Sequence, residues 1–202
     1  LIFQIVVLIY SVVIHEVSHG LAAHAMGDHT AEHAGRLTLN PLKHLDMFGS
    51  FLLPLFLLVI RAPFLFGYAK PVPYNPDNLS DRRYGAAKVA VAGPASNIAL
   101  ALLFGIALRV MDSSGYAGLV SDFFSYIVAL NLMLAVFNLV PIPPLDGHWL
   151  LMAVLPVRWY GLRVALYRYS LPLLLVFIIF LLPWLSPIVG GLFRLFTGQP
   201  WH

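Results

Sequence analysis

Apolar residues fill the chain from Leu1 to His24, relieved only near the end by the cluster HEVSHG. That run predicts a first membrane-length helix, because about 20 apolar residues cross a hydrocarbon core. Residues 25–47 are mixed and polar, and the alternation in Gly35–Asn40 (GRLTLN) predicts a small β-hairpin. Phe48–Gly67 is apolar again but carries Pro54, Arg61 and Pro63, the pattern of a broken, re-entrant segment rather than a full crossing. Tyr68–Arg83 (YAKPVPYNPDNLSDRR) is rich in Pro and Asn and reads as loop or extended chain. Tyr84–Met111 and Leu119–Val140 predict two further crossing helices, joined by a turn over Asp112–Gly118. A basic, aromatic stretch from Arg158 to Arg168 leads to a last apolar helix ending near Leu182. Pro183–His202 then reads as an interfacial tail, with Trp184 and Trp201 as headgroup anchors.

The expected fold is therefore an all-α polytopic membrane protein. It is a bundle of about four to six transmembrane helices, with a re-entrant segment and a small extended or β region near the HEVSHG cluster. Composition agrees: 60% of the 202 residues are hydrophobic and 10% charged, where a soluble domain carries about a quarter charged residues. No internal repeat or linker divides the sequence, so residues 1–202 read as one membrane-embedded domain in a lipid bilayer. The absence of cysteine excludes disulfides and thiolate metal sites. A net charge of +3 without a dense basic cluster gives no support to nucleic-acid binding.

Candidate chemistry gathers in three places. His15-Glu16-Val17-Ser18-His19 is an HExxH sequence on an apolar helix. Spacing i, i+4 puts both imidazoles on one helical face, where they can bind a single metal ion, with Glu16 within reach of a metal-bound water. Three ionisable groups in an apolar helix carry a desolvation cost that a purely structural role does not repay. A catalytic site needs a third protein ligand. Asp146 in PPLDGHW is the leading candidate, as the only carboxylate after Asp122, with Pro141, Pro143 and Pro144 breaking the helix before it and Gly147 permitting a turn. Asp46, His24 and His44 compete for the same role. Asn97 and Asn138 lie within apolar helices, where an amide either bonds between helices or faces a substrate.

HEVSHG (15–20), AGPASN (92–97) and NLMLAVFNLVPIPPLDGHW (131–149), in this order, resemble the site-2 protease family of intramembrane zinc metalloproteases. RLTLNPLKHLD (36–46) and GYAKPVPYNP (67–76) are similar to its compact prokaryotic branch. The resemblance implies a zinc metalloendopeptidase with one Zn2+ per chain, held by His15, His19 and Asp146, with Glu16 as general base. It also implies that Asn97 and Asn138 bind substrate around the cleft. The substrate would be a transmembrane segment of another membrane protein, cut in regulated intramembrane proteolysis. Such a helix must unwind first, and extended chain from 35–40 or 70–76 could pair with it as an added strand.

Topology constrains this reading. Asp146 must reach the depth of His15 and His19, which requires that Phe48–Gly67 not make a full crossing. Arg36, Lys43, Lys70, Arg82, Arg83, Lys88, Arg158, Arg163 and Arg168 then share one face, with Arg109 and Arg194 nearer the other. The positive-inside bias makes the motif-bearing face cytoplasmic, and the resemblance implies a prokaryotic inner membrane. Two readings from other classes compete. A metal-ion transporter would need polar groups along a whole path through the membrane, whereas the strong polar groups here gather at one depth. A catalytically dead binder of membrane segments would not need His15, Glu16, His19 and Asp146 together.

Overall fold

The computed structural model describes residues 1–46, 49, 52–60, 70–115 and 118–201. Its helices, in chain order, are α1 (Ile2–Ala25), α2 (Thr30–His33), α3 (Leu53–Val59), α4 (Gly85–Ser113), α5 (Leu119–Asn138), α6 (Gly147–Val154), α7 (Tyr160–Arg168), α8 (Ser170–Val176) and α9 (Ser186–Thr197). Four helical runs are long and apolar enough to cross a membrane: α1, α4, α5 and the continuous run Ser170–Thr197. The chain is an integral membrane protein. Many of its large apolar side chains point outward, among them Ile5, Leu103, Ile106, Leu171 and Phe180. In water that surface would drive aggregation, whereas in lipid it is solvated.

Helix α4 is the central element and packs against α1, α5, α6 and α9. At about 1.5 Å per residue its 29 residues reach about 43 Å, more than the hydrocarbon thickness. Its C-terminal half builds the main core, where Ala101 and Leu108 meet Val128 and Leu132 of α5 and Val189 and Phe193 of α9. Helix α9 approaches α4 closely at Gly105, where a Cβ would lie 3.0 Å from Cβ of Phe196. Arg109 donates from Nε to the Phe196 carbonyl (2.9 Å) and from Nη2 to that of Leu195 (2.5 Å), capping orphan carbonyls at the end of α9.

That contact corrects the reading of the C-terminal tail. Residues 183–197 do not lie along an interface but continue the fourth crossing. A π turn over Phe177–Leu181 and a 3₁₀ turn over Leu182–Leu185 connect α8 to α9. Pro183 and Pro187 each fall at the first turn of the segment they open, where a missing N–H breaks no ladder. Trp201 packs against Phe193, with ring centroids 5.3 Å apart, instead of anchoring freely.

The small β region is also corrected. Among the described residues there is no strand. Residues 36–40 run through bends, and the extended stretch 70–75 lacks the donors a ladder needs. Pro71 and Pro73 have no N–H, and the carbonyls of Lys70 and Pro71 accept from the Arg36 guanidinium. The re-entrant segment, placed at Phe48–Gly67, falls largely outside the described residues. Its described part contains α3, whose seven residues are too few to span. What the fold does fix is that α1 ends and α4 begins on the same side, since Ser80 N–H bonds the Met26 carbonyl (2.8 Å) and His19 bonds Val89.

Ser80 and Ser114 are both exposed and stand near opposite ends of α4. In this cysteine-free chain, Ser80→Cys and Ser114→Cys should react with a membrane-impermeant thiol reagent from opposite sides of oriented vesicles. Labelling of both from the same side would contradict the arrangement of the four crossings.

Candidate metal centre

Three elements bring the site together. Helix α1 carries His15, Glu16 and His19 on a turn that faces α4 and the chain after α5. Helix α5 stops at Asn138, and Pro141, Pro143 and Pro144 keep residues 139–145 out of the helix. Asp146 is the residue just before α6. The glycine behind it is required for close packing rather than for a turn conformation. A Cβ on Gly147 would lie 2.1 Å from the Leu139 carbonyl oxygen, so the end of α5 folds directly against the start of α6. That fold-back delivers Asp146 to the two histidines.

Nε2 of His15 lies 3.1 Å from Nε2 of His19, and Asp146 Oδ2 lies 3.0 Å from the first and 3.2 Å from the second. Three such atoms form a nearly equilateral triangle. Tetrahedral zinc with bonds of about 2.0–2.1 Å has ligands about 3.3 Å apart, so the triangle fits one face of that polyhedron and leaves a fourth position open. The tautomers agree. His19 Nδ1–H donates to the Val89 carbonyl (2.7 Å), and His15 Nδ1–H donates to Asn97 Oδ1 (2.6 Å). With both Nδ1 atoms donating outward, both neutral Nε2 atoms present lone pairs inward, toward a carboxylate that is also an acceptor. Three electron-pair donors that close require a cation among them.

The outer shell is continuous. Asn97 is fully buried; its Nδ2 donates to Asn131 Oδ1 (2.8 Å) and the Ser11 carbonyl (3.3 Å). Asn131 Nδ2 in turn donates to Ser11 Oγ (3.0 Å) and the Ile127 carbonyl (2.9 Å). The network joins α1, α4 and α5 and fixes the Asn97 amide with its oxygen toward His15. Asn97 therefore stands behind the histidine and not on the wall of the cleft. Asn138 does line the cleft, and its Nδ2 donates to the Leu134 carbonyl (3.0 Å). Of the competing ligands, His44 is buried against the Thr38 carbonyl (2.8 Å) and His24 pairs with Glu32, both apart from the triangle. Asp46 accepts from the Gly49 N–H (2.6 Å).

The cleft encloses about 530 Å³ and is lined by His15, Glu16, His19, Val72, Tyr74, Asn138, Asp146 and Trp149 among others. Glu16 Oε2 accepts the Val72 N–H (2.9 Å), which fixes the carboxylate at the cleft and brings segment 70–76 over it. Gly20, the last residue of HEVSHG, makes room there, since a Cβ would lie 2.9 Å from Val72 Cγ1. The Tyr74 hydroxyl is buried without a hydrogen-bond partner. Burial, with the charge of Asp146 adding to it, pushes its phenol up to about 12, so it remains a donor. The sequence reading offers segment 70–76 as a docking strand but gives no separate role to Asn131, the Tyr74 hydroxyl or the Val72 N–H; Asn131 left a signal only as an amide seven residues before Asn138 in an apolar run. Gly93 carries a further role: a Cβ there would lie 2.5 Å from Nε2 of His19 and 2.6 Å from Nε2 of His15. Gly93→Ala should displace both imidazoles and lower metal affinity by at least about 10-fold, measured by competition with a chelating dye; unchanged affinity would show that the rings do not need this space.

The sequence profile of Peptidase family M50 matches residues 110–181, a span that includes Asp146. The chain is 39% identical over 160 residues to YwhC of Bacillus subtilis, covering 76% of this chain and 69% of that one. It is 34% identical over 142 residues to Rip2 of Mycolicibacterium smegmatis and 33% over 138 residues to Rip2 of Mycobacterium tuberculosis, each covering 68% of this chain. The names of all three assign them to the zinc metalloproteases. This chain spans about half the length of the mycobacterial proteins, 51% of each. No solved structure matches it. Likeness that extends along more than two thirds of the Bacillus protein places the chain in peptidase family M50: it belongs to the site-2 protease family of membrane zinc metalloproteases.

Proposed function

We propose that this protein hydrolyses peptide bonds within or beside transmembrane segments of other membrane proteins, with residues 1–202 acting as one catalytic domain. The observation that carries the reading is the triangle of His15, His19 and Asp146 with Glu16 beside it, opening into a cleft at the end of membrane-length helices. Zinc, when bound, supplies Lewis-acid polarisation and lowers the pKa of water to about 7. His15, His19 and Asp146 hold it, and Asn97 and the Val89 carbonyl orient the two imidazoles. Glu16 takes the proton of the attacking water and passes it to the leaving amine. The Val72 N–H occupies one of its oxygens, leaving the other to carry that proton. The unpartnered Tyr74 hydroxyl is the donor for the developing oxyanion, and Asn138 meets the substrate along the cleft wall.

A substrate would enter as extended chain, and segment 70–76 limits how it docks. Three of its residues are prolines, and the N–H groups of Lys70, Val72 and Asn75 are bonded within the protein. The carbonyls of Lys70, Pro71, Asn75 and Pro76 are also bonded, so the carbonyls of Val72, Pro73 and Tyr74 and the Tyr74 N–H are left to meet an extended substrate. Arg36, Lys70, Arg82, Arg83 and Lys88 belong to the cleft end and Arg109 and Arg194 to the other, which supports a cytoplasmic-facing cleft in a prokaryotic inner membrane.

The test is cleavage of a helix-destabilised transmembrane peptide by the detergent-purified, zinc-loaded chain. Glu16→Gln should retain zinc and lose at least about 100-fold in rate, and Tyr74→Phe should lose about 100-fold in kcat with zinc retained. No cleavage by the zinc-loaded wild type, or full activity in Glu16→Gln, would overturn the hydrolytic reading. Asn97→Ala should leave the cleft wall intact yet weaken zinc binding about 10–100-fold, as loss of an outer-shell partner does. A rise in KM at unchanged zinc affinity would instead return Asn97 to substrate binding.

A further inference from the structure

A second set of ligating side chains lies outside the cleft, where α1 gives way to α2. His24 belongs to the last turn of α1, His29 directly precedes α2, and Glu32 lies within it. Nε2 of His24 is 3.1 Å and Nδ1 of His29 2.8 Å from one and the same oxygen, Oε2 of Glu32. The three ligand atoms lie within 4.8 Å of one another, and the two imidazoles meet edge to face with centroids 4.5 Å apart. Five residues separate His24 from His19, a net turn of about 140° around α1, so this cluster looks away from the cleft and takes no part in the reaction.

We propose that His24, His29 and Glu32 form a second site for a divalent transition-metal ion of the zinc class. Two imidazoles and a carboxylate select such an ion over calcium or magnesium, which prefer oxygen donors throughout. The 3.1 Å separation of His24 Nε2 from Oε2 is near the edge of about 3.3 Å in a zinc tetrahedron, and the exposed His29 and Glu32 side chains are free to open their 2.8 Å separation around an ion. The exposure of Glu32 and His29 leaves water free to complete the coordination.

The frame is held in advance. Fully buried Asp28, between the two histidines in sequence, accepts from Thr30 N–H (3.2 Å), Thr30 Oγ1 (2.5 Å), Asn75 N–H (2.7 Å) and Asn78 Nδ2 (2.9 Å). The turn that carries the ligands is thereby fixed before any ion binds, which lowers the ordering cost of ligation. Asp28 also ties that turn to the segment whose Val72 N–H bonds Glu16. An ion on His24, His29 and Glu32 would sit on the outer side of a turn that Asp28 already holds, apart from the cleft.

The test is the zinc content of the full chain in detergent, equilibrated at micromolar free zinc and then freed of excess ion. The double variant His29→Ala/Glu32→Gln should hold one ion fewer than wild type and cleave at the wild-type rate. His24→Ala, which removes a different ligand, should lose the same ion. His15→Ala/His19→Ala should still bind the ion that His29→Ala/Glu32→Gln loses, which separates this site from the catalytic one. Equal zinc content in wild type and in the His29→Ala/Glu32→Gln variant would overturn the proposal.

Discussion

The rest of the structure answers to one electrostatic problem. Two imidazole lone pairs and a carboxylate oxygen converge within 3.2 Å of one another inside a bundle of apolar helices. Left alone they repel, and in a low-dielectric surround that repulsion is large. Holding them there demands that every other degree of freedom be taken up. The Val89 carbonyl fixes one imidazole, Asn97 fixes the other, and Asn131 and Ser11 fix Asn97. Space must be cleared as well, which is why Gly93 faces the two Nε2 atoms and Gly147 lets the end of α5 reach α6. These residues do no chemistry, yet without them the three ligand atoms would not meet.

A second constraint comes from the face beyond the membrane. Loops need internal partners when they cover a polar site, because exposed donors would compete for the bonds that aim it. Asp28 gathers four donors from residues 30, 75 and 78, and Arg36 takes up the carbonyls of Lys70 and Pro71. Between those two anchors Val72 reaches Glu16. Glu16, the proposed base, is thus oriented by a loop remote in sequence as well as by its own helix. The prolines that mark this stretch as loop or extended chain give it stiffness and remove the donors that would let it drift into a ladder.

Much of this was legible in the sequence, for identifiable reasons. Helix length and apolarity revealed α1, α4 and α5, and the i, i+4 histidines with a lone later carboxylate made His15, His19 and Asp146 the leading ligand candidates, which the structure brings within 3.2 Å of one another. Illegible were features that depend on which backbones come close. The need for glycine at Gly93 appears only once α1 lies against it, and Gly147 reads as a turn until the Leu139 carbonyl lies 2.1 Å from where its Cβ would be. Asn97 reads as a cleft donor because periodicity does not say which side of α4 faces His15. The break expected at Pro183 failed for a local reason: a π turn followed by a 3₁₀ turn carries the helical run past a residue that would end a regular α-helix.

The same depth asymmetry separates hydrolysis from transport. Ser11, Asn97 and Asn131 form the polar layer directly behind the triangle, and each is bonded within that layer or to its own backbone. Farther along α4 the bundle closes over Ala101, Leu108, Val128, Leu132, Val189 and Phe193, packed without a ligating side chain among them. Among the described residues of this core a cation that entered from the cleft would meet no further ligands, and an ion in such a core carries a prohibitive desolvation cost. A carrier must offer successive sites of comparable affinity, whereas this bundle offers one site and a wall. The wall serves hydrolysis, because water reaches the cleft from a single side and the electrostatics of the site are not diluted from below.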